Sequence, residues 1–445
     1  MLWGNRNELR ISIKIRRMRT EESHKTRMLW VTGVLHAFTH LYQVALMPLY
    51  LLIEKDFKFA SVSQATLLLT VMMAAYFLPS YPMGVLADRA NRKVLLGLGL
   101  GINAFGFVAL ALAPNYACAL GAVAVAGFGG SFFHPAATAM VARLFPAKTG
   151  KALGLIGIGA SVGFFLGPIY AGWRAASLEP VLGAAAWRRP VLELGIIGLL
   201  ASVAFVWVAD HERPLPPSER KPLHAQSLFP TGALYGFFLL CAVAFSLRDF
   251  VGTSMGSLGS LFLQNAHGYD PRLTGFALSW IFLPSAISNP LFGSLSDRGR
   301  KRWTVFVLLV AAVLVMSLPH VPTQWTIPVF LVYGFFFMSS YPMTEAALME
   351  SVPDAVRGRI FGLFIMVSGM MGNLSHWIVG GQVERIGDEA YTPGGYYWMY
   401  NTLALMLIVA LTGLPCLHAI RKQEEELGPR ATSQGVKEGQ PVTAK

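Results

Sequence analysis

The sequence predicts an all-α integral membrane protein whose twelve transmembrane helices form two parallel six-helix repeats. Three observations carry that prediction: a composition too apolar for a soluble globule, a series of span-length apolar runs, and a motif that recurs once per half. Of the 445 residues, 54% are hydrophobic and 13% charged, and mean hydropathy is +0.50. A soluble domain carries about 25% charged residues, so a soluble enzyme, a disordered chain and a disulfide scaffold are all disfavoured from the outset.

Apolar runs of about 17–25 residues suit helices that cross a hydrocarbon core. They fall at 29–53, 61–86, 94–113, 117–141, 152–172 and 191–209, then at 231–263, 273–295, 303–319, 326–349, 358–382 and 397–419. A lipid-facing backbone must satisfy its hydrogen bonds within its own segment, so these continuous runs are expected to be helical; a barrel would show short alternating ones. The basic stretch 1–28 is too long, and the run after it too long, for a cleavable signal. It is expected to be a tail that lies against anionic lipid. The Pro-rich segment 210–230 (DHERPLPPSERKPLHAQSLFP) reads as a linker between bundles 29–209 and 231–419, with a disordered tail over 420–445.

Net charge is +12, which in a soluble chain would suggest nucleic acid. Here the basic residues sit in short clusters between apolar runs, so nucleic acid is rejected as a partner. Counted by loop, 28 of the 36 Lys and Arg lie in the tails and one set of alternate loops, and 7 lie in the other set. By the positive-inside rule both termini are cytoplasmic. Cys118, Cys241 and Cys416 lie in separate apolar runs with no metal or disulfide spacing. No metal, cofactor, ATP-binding loop or catalytic constellation is expected, so the chain is not read as an enzyme.

The internal repeat is the most specific signal. GVLADRANRK over 84–93 matches GSLSDRGRKR over 293–302, and AKTGKALGL over 147–155 matches AVRGRIFGL over 355–363. The separations, 209 and 208 residues, agree, which implies two parallel repeats about an axis along the membrane normal. Asp88 and Asp297 fall at helix ends beside basic residues, where a carboxylate can face the positive N-terminus of a neighbouring helix.

The loop G-x-L-x-D-R-x-x-R-K, present once per half, resembles the signature of the major facilitator superfamily over roughly residues 29–420. The resemblance implies a secondary transporter working by alternating access. It also implies a cytoplasmic gate carried by Asp88, Arg89 and Arg92, with Asp297 and Arg298 as the second copy. In the fifth run, Gly154, Gly163, Gly167, Pro168 and Gly172 resemble the antiporter signature G-x8-G-x3-G-P-x2-G-G, with Ala171 in place of one glycine. That favours export and a helix that packs and pivots between the halves; plain small-residue packing is the alternative. Drug–proton antiporters usually carry an arginine four residues before Gly-x-Gly in the fourth helix, where this chain has Val123. The stretches SFFHP over 131–135 and His36-x3-His40-x2-Gln43 resemble the fosmidomycin-resistance branch, which usually has an acid where His40 stands.

Ionisable groups at bilayer depth cost about 2.5–3.5 kcal/mol each on insertion scales, which makes them candidates for the substrate or proton pathway. Arg248 and Asp249 lie mid-run; adjacent helix positions point about 100° apart, so the two are not expected simply to neutralise each other, and each is expected to need a further partner or a wet cavity. His36, His40 and Gln43 share one helix face. A histidine pair at this spacing also suits a transition metal, but no third ligand is evident. His134 either lines the pathway or satisfies carbonyls freed by Pro135. Glu345 and His376 complete the candidates. The expected task is proton-coupled efflux of a small drug-like, anionic or amphipathic compound by a monomer in the lipid bilayer, in a bacterial inner membrane. Uptake of an organic anion, or a non-transporting receptor or lipid-handling protein on the same fold, are the rival readings.

Overall fold

A computed structural model describes residues 4–59, 61–87, 90–145, 149–210 and 227–427. Among them every regular element is helical. Most of the expected linker, and the chain beyond Leu427, lie outside the described residues. The first run breaks in two: α1 (Gly4–Val44) passes through a tight turn at Met47–Leu49 into α2 (Tyr50–Phe57). Pro48 is the first proline in the chain, and its missing N–H ends the helical ladder there. Nothing earlier stops the helix, so the basic stretch is not a separate segment but the first turns of α1.

The second run gives α3 (Val62–Phe77) and α4 (Ser80–Ala87), divided at Pro79. Next comes α5 (Arg92–Ala111), whose first turn is capped by the Asn91 side chain accepting from the Lys93 and Val94 amides. The fourth run gives α6 (Tyr116–Gly130) and α7 (Phe133–Leu144), and α8 (Thr149–Leu182) and α9 (Arg188–Val208) complete the first half. The second half opens with α10 (Gly232–His267), capped by Thr231 and ended by a left-handed Gly268. It continues with α11 (Pro271–Ser279) and α12 (Ser285–Ser296), split at Pro284, then α13 (Arg300–Ser317) and α14 (Thr326–Glu350). The last elements are α15 (Asp354–Asn373), α16 (Ser375–Arg385), α17 (Tyr397–Ala410) and α18 (Gly413–Leu427). The expected disordered tail therefore begins with two further turns of helix, held by the Arg421–Glu425 and Lys422–Glu426 ion pairs one turn apart.

Each expected run is one rod or a rod broken once. Nine helical stretches among the described residues are long and apolar enough to cross a membrane, and one of them, Ala152–Val208, spans 57 residues, enough for two crossings.

The halves are built alike. In the first, α1 packs along α8 and α5 along α6 and α9; in the second, α10 packs along α15, and α13 along α14 and α17. Outward residues of α9 such as Leu200, Val203 and Trp207 are exposed and apolar, as lipid contact requires.

The halves meet most broadly at the end remote from the chain termini, where α8 crosses α11 and α3 crosses α16. Both crossings depend on glycine. A methyl at Gly172 would lie 2.1 Å from the Pro271 carbonyl oxygen, one at Gly275 2.1 Å from that of Pro168, and one at Gly380 2.2 Å from Thr66 Oγ1 and 3.0 Å from Ser63 Cα. Among the described residues, α4 meets α15 more sparingly at the end that carries the termini, and α8 meets α12 near mid-depth, where the Ser161 and Ser285 hydroxyls are 3.3 Å apart.

Candidate functional site

The first cluster lies on the inner face of the first half. His36, His40 and Gln43 follow one another along α1, and their side chains form a chain of contacts. His40 Nδ1 donates to Gln43 Oε1 at 2.8 Å, and the Nε2 atoms of His40 and His36 are 3.0 Å apart. His36 Nδ1 donates to the Ile156 carbonyl of α8 at 2.8 Å. That reach is short because α1 and α8 run nearly in contact: a methyl at Gly159 or Gly163 would sit 2.0 Å from the Gly33 or Ala37 carbonyl oxygen.

His134 joins this group from α7. The break after Gly130 places Pro135 in the first turn of α7, where its missing N–H costs no helical bond. His134 is therefore not needed to satisfy a freed carbonyl, and its ring packs instead 5.2 Å from that of His36 and 5.5 Å from that of His40. No third histidine for the His36–His40 pair is evident from sequence; the structure supplies it, because the fourth rod packs beside the first. His36 is buried, His40 half-buried and His134 exposed, so the group opens on accessible space. Phe133 stacks on His36, Phe164 lies 4.3 Å from His40, and Phe164 stacks on Phe282 of the other half.

The second cluster surrounds Arg248 in α10, and here an expectation is corrected. Arg248 and Asp249 do neutralise each other: Arg248 Nε and Nη2 donate to Asp249 Oδ1 at 2.9 and 2.7 Å. The arginine stem is long enough to curl across the angle between adjacent positions. Arg248 Nη1 also donates to Thr344 Oγ1, and the guanidinium lies over the Tyr341 ring at 4.1 Å. The Arg248 side chain is 1% exposed and that of Asp249 13%. Glu345, half-buried on α14, is within electrostatic reach of both.

A third set of polar contacts ties the halves together. Tyr50 and Ser257 hydroxyls are 2.8 Å apart, Ser257 Oγ and His376 Nδ1 2.6 Å, and His376 Nε2 donates to Asn373 Oδ1 at 3.1 Å. Thr70 donates to the Asn373 carbonyl at 3.0 Å and Ser260 to the Met47 carbonyl at 2.6 Å. His376, expected on the pathway, is 1% exposed and sits inside this interface. Ser257, Tyr341 and Thr344 are partners that sequence reasoning missed. Polarity within a span was a usable signal for Thr344, whereas the pairing of Ser257 with Tyr50 across distant runs left none.

The gate residues are only partly placed. Asp88 and Arg89 lie outside the described residues. Arg92 is buried at the start of α5, and its Nε donates to the Ala87 carbonyl at 3.1 Å. In the second copy Asp297 and Arg298 are exposed. Arg300, which the motif did not single out, lies 3.5 Å from Asp297 and 2.6 Å from Glu350. These contacts run within the second half and do not cross to the first. Along α8, Gly163 and Gly167 face α1 of the same half, Gly172 and Pro168 face α11 of the other, and a methyl at Gly154 would meet nothing within 4 Å among the described residues. The glycine motif therefore serves two contacts, and the one between the halves is confined to its last third.

The profile of the Major Facilitator Superfamily matches residues 29–375. The chain is 23% identical over 347 residues to the fosmidomycin resistance protein of Escherichia coli (strain K12), covering 78% of this chain and 83% of that protein. It is 27% identical over 310 residues to the multidrug resistance protein MdtG of Serratia proteamaculans (strain 568), covering 68% and 72%. Among solved structures it resembles a bacterial homolog of the human lysosomal transporter Spinster in an inward-facing, occupied conformation. The TM-score is 0.69 at 16% identity, over 91% of this chain and 98% of that one. Apolar rods, duplicated halves and the matched profile agree: this multi-pass membrane protein belongs to the Major Facilitator Superfamily of transporters of small molecules.

Proposed function

We propose that the chain exports a small amphipathic organic compound in exchange for protons, by alternating access between bundles 29–209 and 231–419. The observation that carries the reading is the placement of ionisable groups. His134 on the first half is exposed and Glu345 on the second is half-buried, while glycine contacts pack the halves tightly at the end remote from the termini. Relatives named for drug resistance support export. On this reading the termini are cytoplasmic, the membrane is a bacterial inner membrane, and the described state faces inward. Because Asp249 already neutralises Arg248, Arg248 supplies no bare positive charge for an anion. The aromatic rings packed about the two clusters, Phe133, Phe164, Phe282 and Tyr341, favour an amphipathic solute instead.

The test is flux in everted membrane vesicles with an imposed proton gradient, across a panel of amphipathic compounds. Accumulation that collapses with the gradient and falls by about tenfold or more in Glu345→Gln is the expected result. Gradient-independent flux, or full activity in Glu345→Gln, overturns the coupling assignment.

A further inference from the structure

We propose that His36, His40 and His134 form a three-nitrogen site for a divalent transition-metal cation, open on its fourth side to the space between the halves. A carbonyl oxygen only accepts, so His36 Nδ1, 2.8 Å from the Ile156 oxygen, carries the hydrogen. His40 Nδ1, 2.8 Å from Gln43 Oε1, carries one for the same reason. In both neutral rings Nε2 is then a bare lone pair, and the two Nε2 atoms face each other at 3.0 Å. Two facing lone pairs repel; a cation between them removes the conflict.

The arrangement has the features of a built site. Ligating histidines characteristically donate their other N–H to a carbonyl or carboxamide, which fixes the tautomer and aims the ligand nitrogen; Ile156 and Gln43 accept those bonds here. Ligand atoms of all three histidines lie within 4.8 Å of one another. Around one zinc-like ion, nitrogens bound at about 2.0–2.1 Å would be about 3.4 Å apart, so the widest gap must close by up to about 1.4 Å. His134 is exposed and held only by ring packing among the described residues, so it can make that movement. Three imidazoles without a carboxylate select zinc, cobalt, nickel or copper over magnesium or calcium. A water from the accessible side completes a tetrahedron.

The test uses the purified full-length chain in detergent, without a histidine tag, titrated with cobalt(II) chloride and back-titrated with zinc chloride. The expected result is one equivalent of cobalt with the intense visible absorption of a tetrahedral ion, displaced by zinc. His134→Ala should weaken binding by about tenfold or more, and Gln43→Ala, which removes the acceptor of the His40 Nδ1 bond, by about 10–100-fold. Should His134→Ala fail to fold, His36→Gln reads the same loss while keeping a polar side chain. No stoichiometric cobalt binding, which would leave a proton as the cation between the two nitrogens, overturns the proposal. Unchanged affinity in the variants, which would place the ion elsewhere, overturns it too. Proton-coupled flux is measured separately, so a failure of metal binding is told apart from a failure of the transport reading.

Discussion

Replacing Asp249 by asparagine should destabilise the folded protein by about 3 kcal/mol, and removing Arg248 as well should recover much of that loss. The guanidinium is 1% exposed and held at 2.7 Å by Asp249. At an effective dielectric of about 20, opposite charges about 4 Å apart attract by about 4 kcal/mol. Removing one partner of a buried pair typically costs about 3–5 kcal/mol, because the other is stranded. Thr344 and the Tyr341 ring remain as partners in the variant, and Glu345 lies near enough to share the charge, which places the cost at the lower end. The assay is equilibrium unfolding in detergent for Asp249→Asn, Arg248→Met and the double variant, read as a double-mutant cycle. A loss under about 1 kcal/mol for Asp249→Asn, the range of an exposed pair, would refute the reasoning. So would a double variant whose loss equals the sum of the two singles.

Three further predictions concern packing and pH. Gly163→Ala should cost about 1–3 kcal/mol by forcing α8 off α1, while Gly154→Ala, with open space around it, should gain up to about 1 kcal/mol of helix propensity; thermal unfolding of the two variants compares them directly. Ser257→Ala strips His376 of its Nδ1 partner at the interface and should cost about 1–3 kcal/mol, measured as faster hydrogen exchange in α16. At the end that carries the termini, burial pushes the Asp210 carboxyl up, but bonds from Arg27 and His24 outweigh it and hold the group below its ordinary value of 3.8. A depressed carboxylate contributes stability that is complete above that ordinary value and is lost as pH falls through the lower folded one. Hydrogen exchange around Arg27 should therefore quicken only below about pH 4, and Asp210→Asn should abolish the pH dependence.

The architecture was legible because membrane burial writes itself into local sequence. Run length marked the rods, and the recurrence of the Asp88 and Asp297 loops marked the duplication. The breaks inside rods were less legible, since Pro79 and Pro284 interrupt helices whereas Pro168 and Pro342 do not. Residue type alone flagged most of the buried ionisable groups. What it could not supply was association: that His134 faces His36 depends on which rods are neighbours, and that Arg248 folds onto Asp249 depends on a side-chain rotamer. For Gly172, spacing marked the glycine but not its partner.

The two glycine crossings between the halves are copies of one another. Gly172 and Gly380 are 208 residues apart, as are their partners Ser63 and Pro271, which is the interval of the sequence repeat. The far end is thus fastened by a matched pair of hinges rather than a single latch. On the alternating-access reading proposed above, rigid bundles would part both together, and a bulky side chain placed at either glycine should prop the same door.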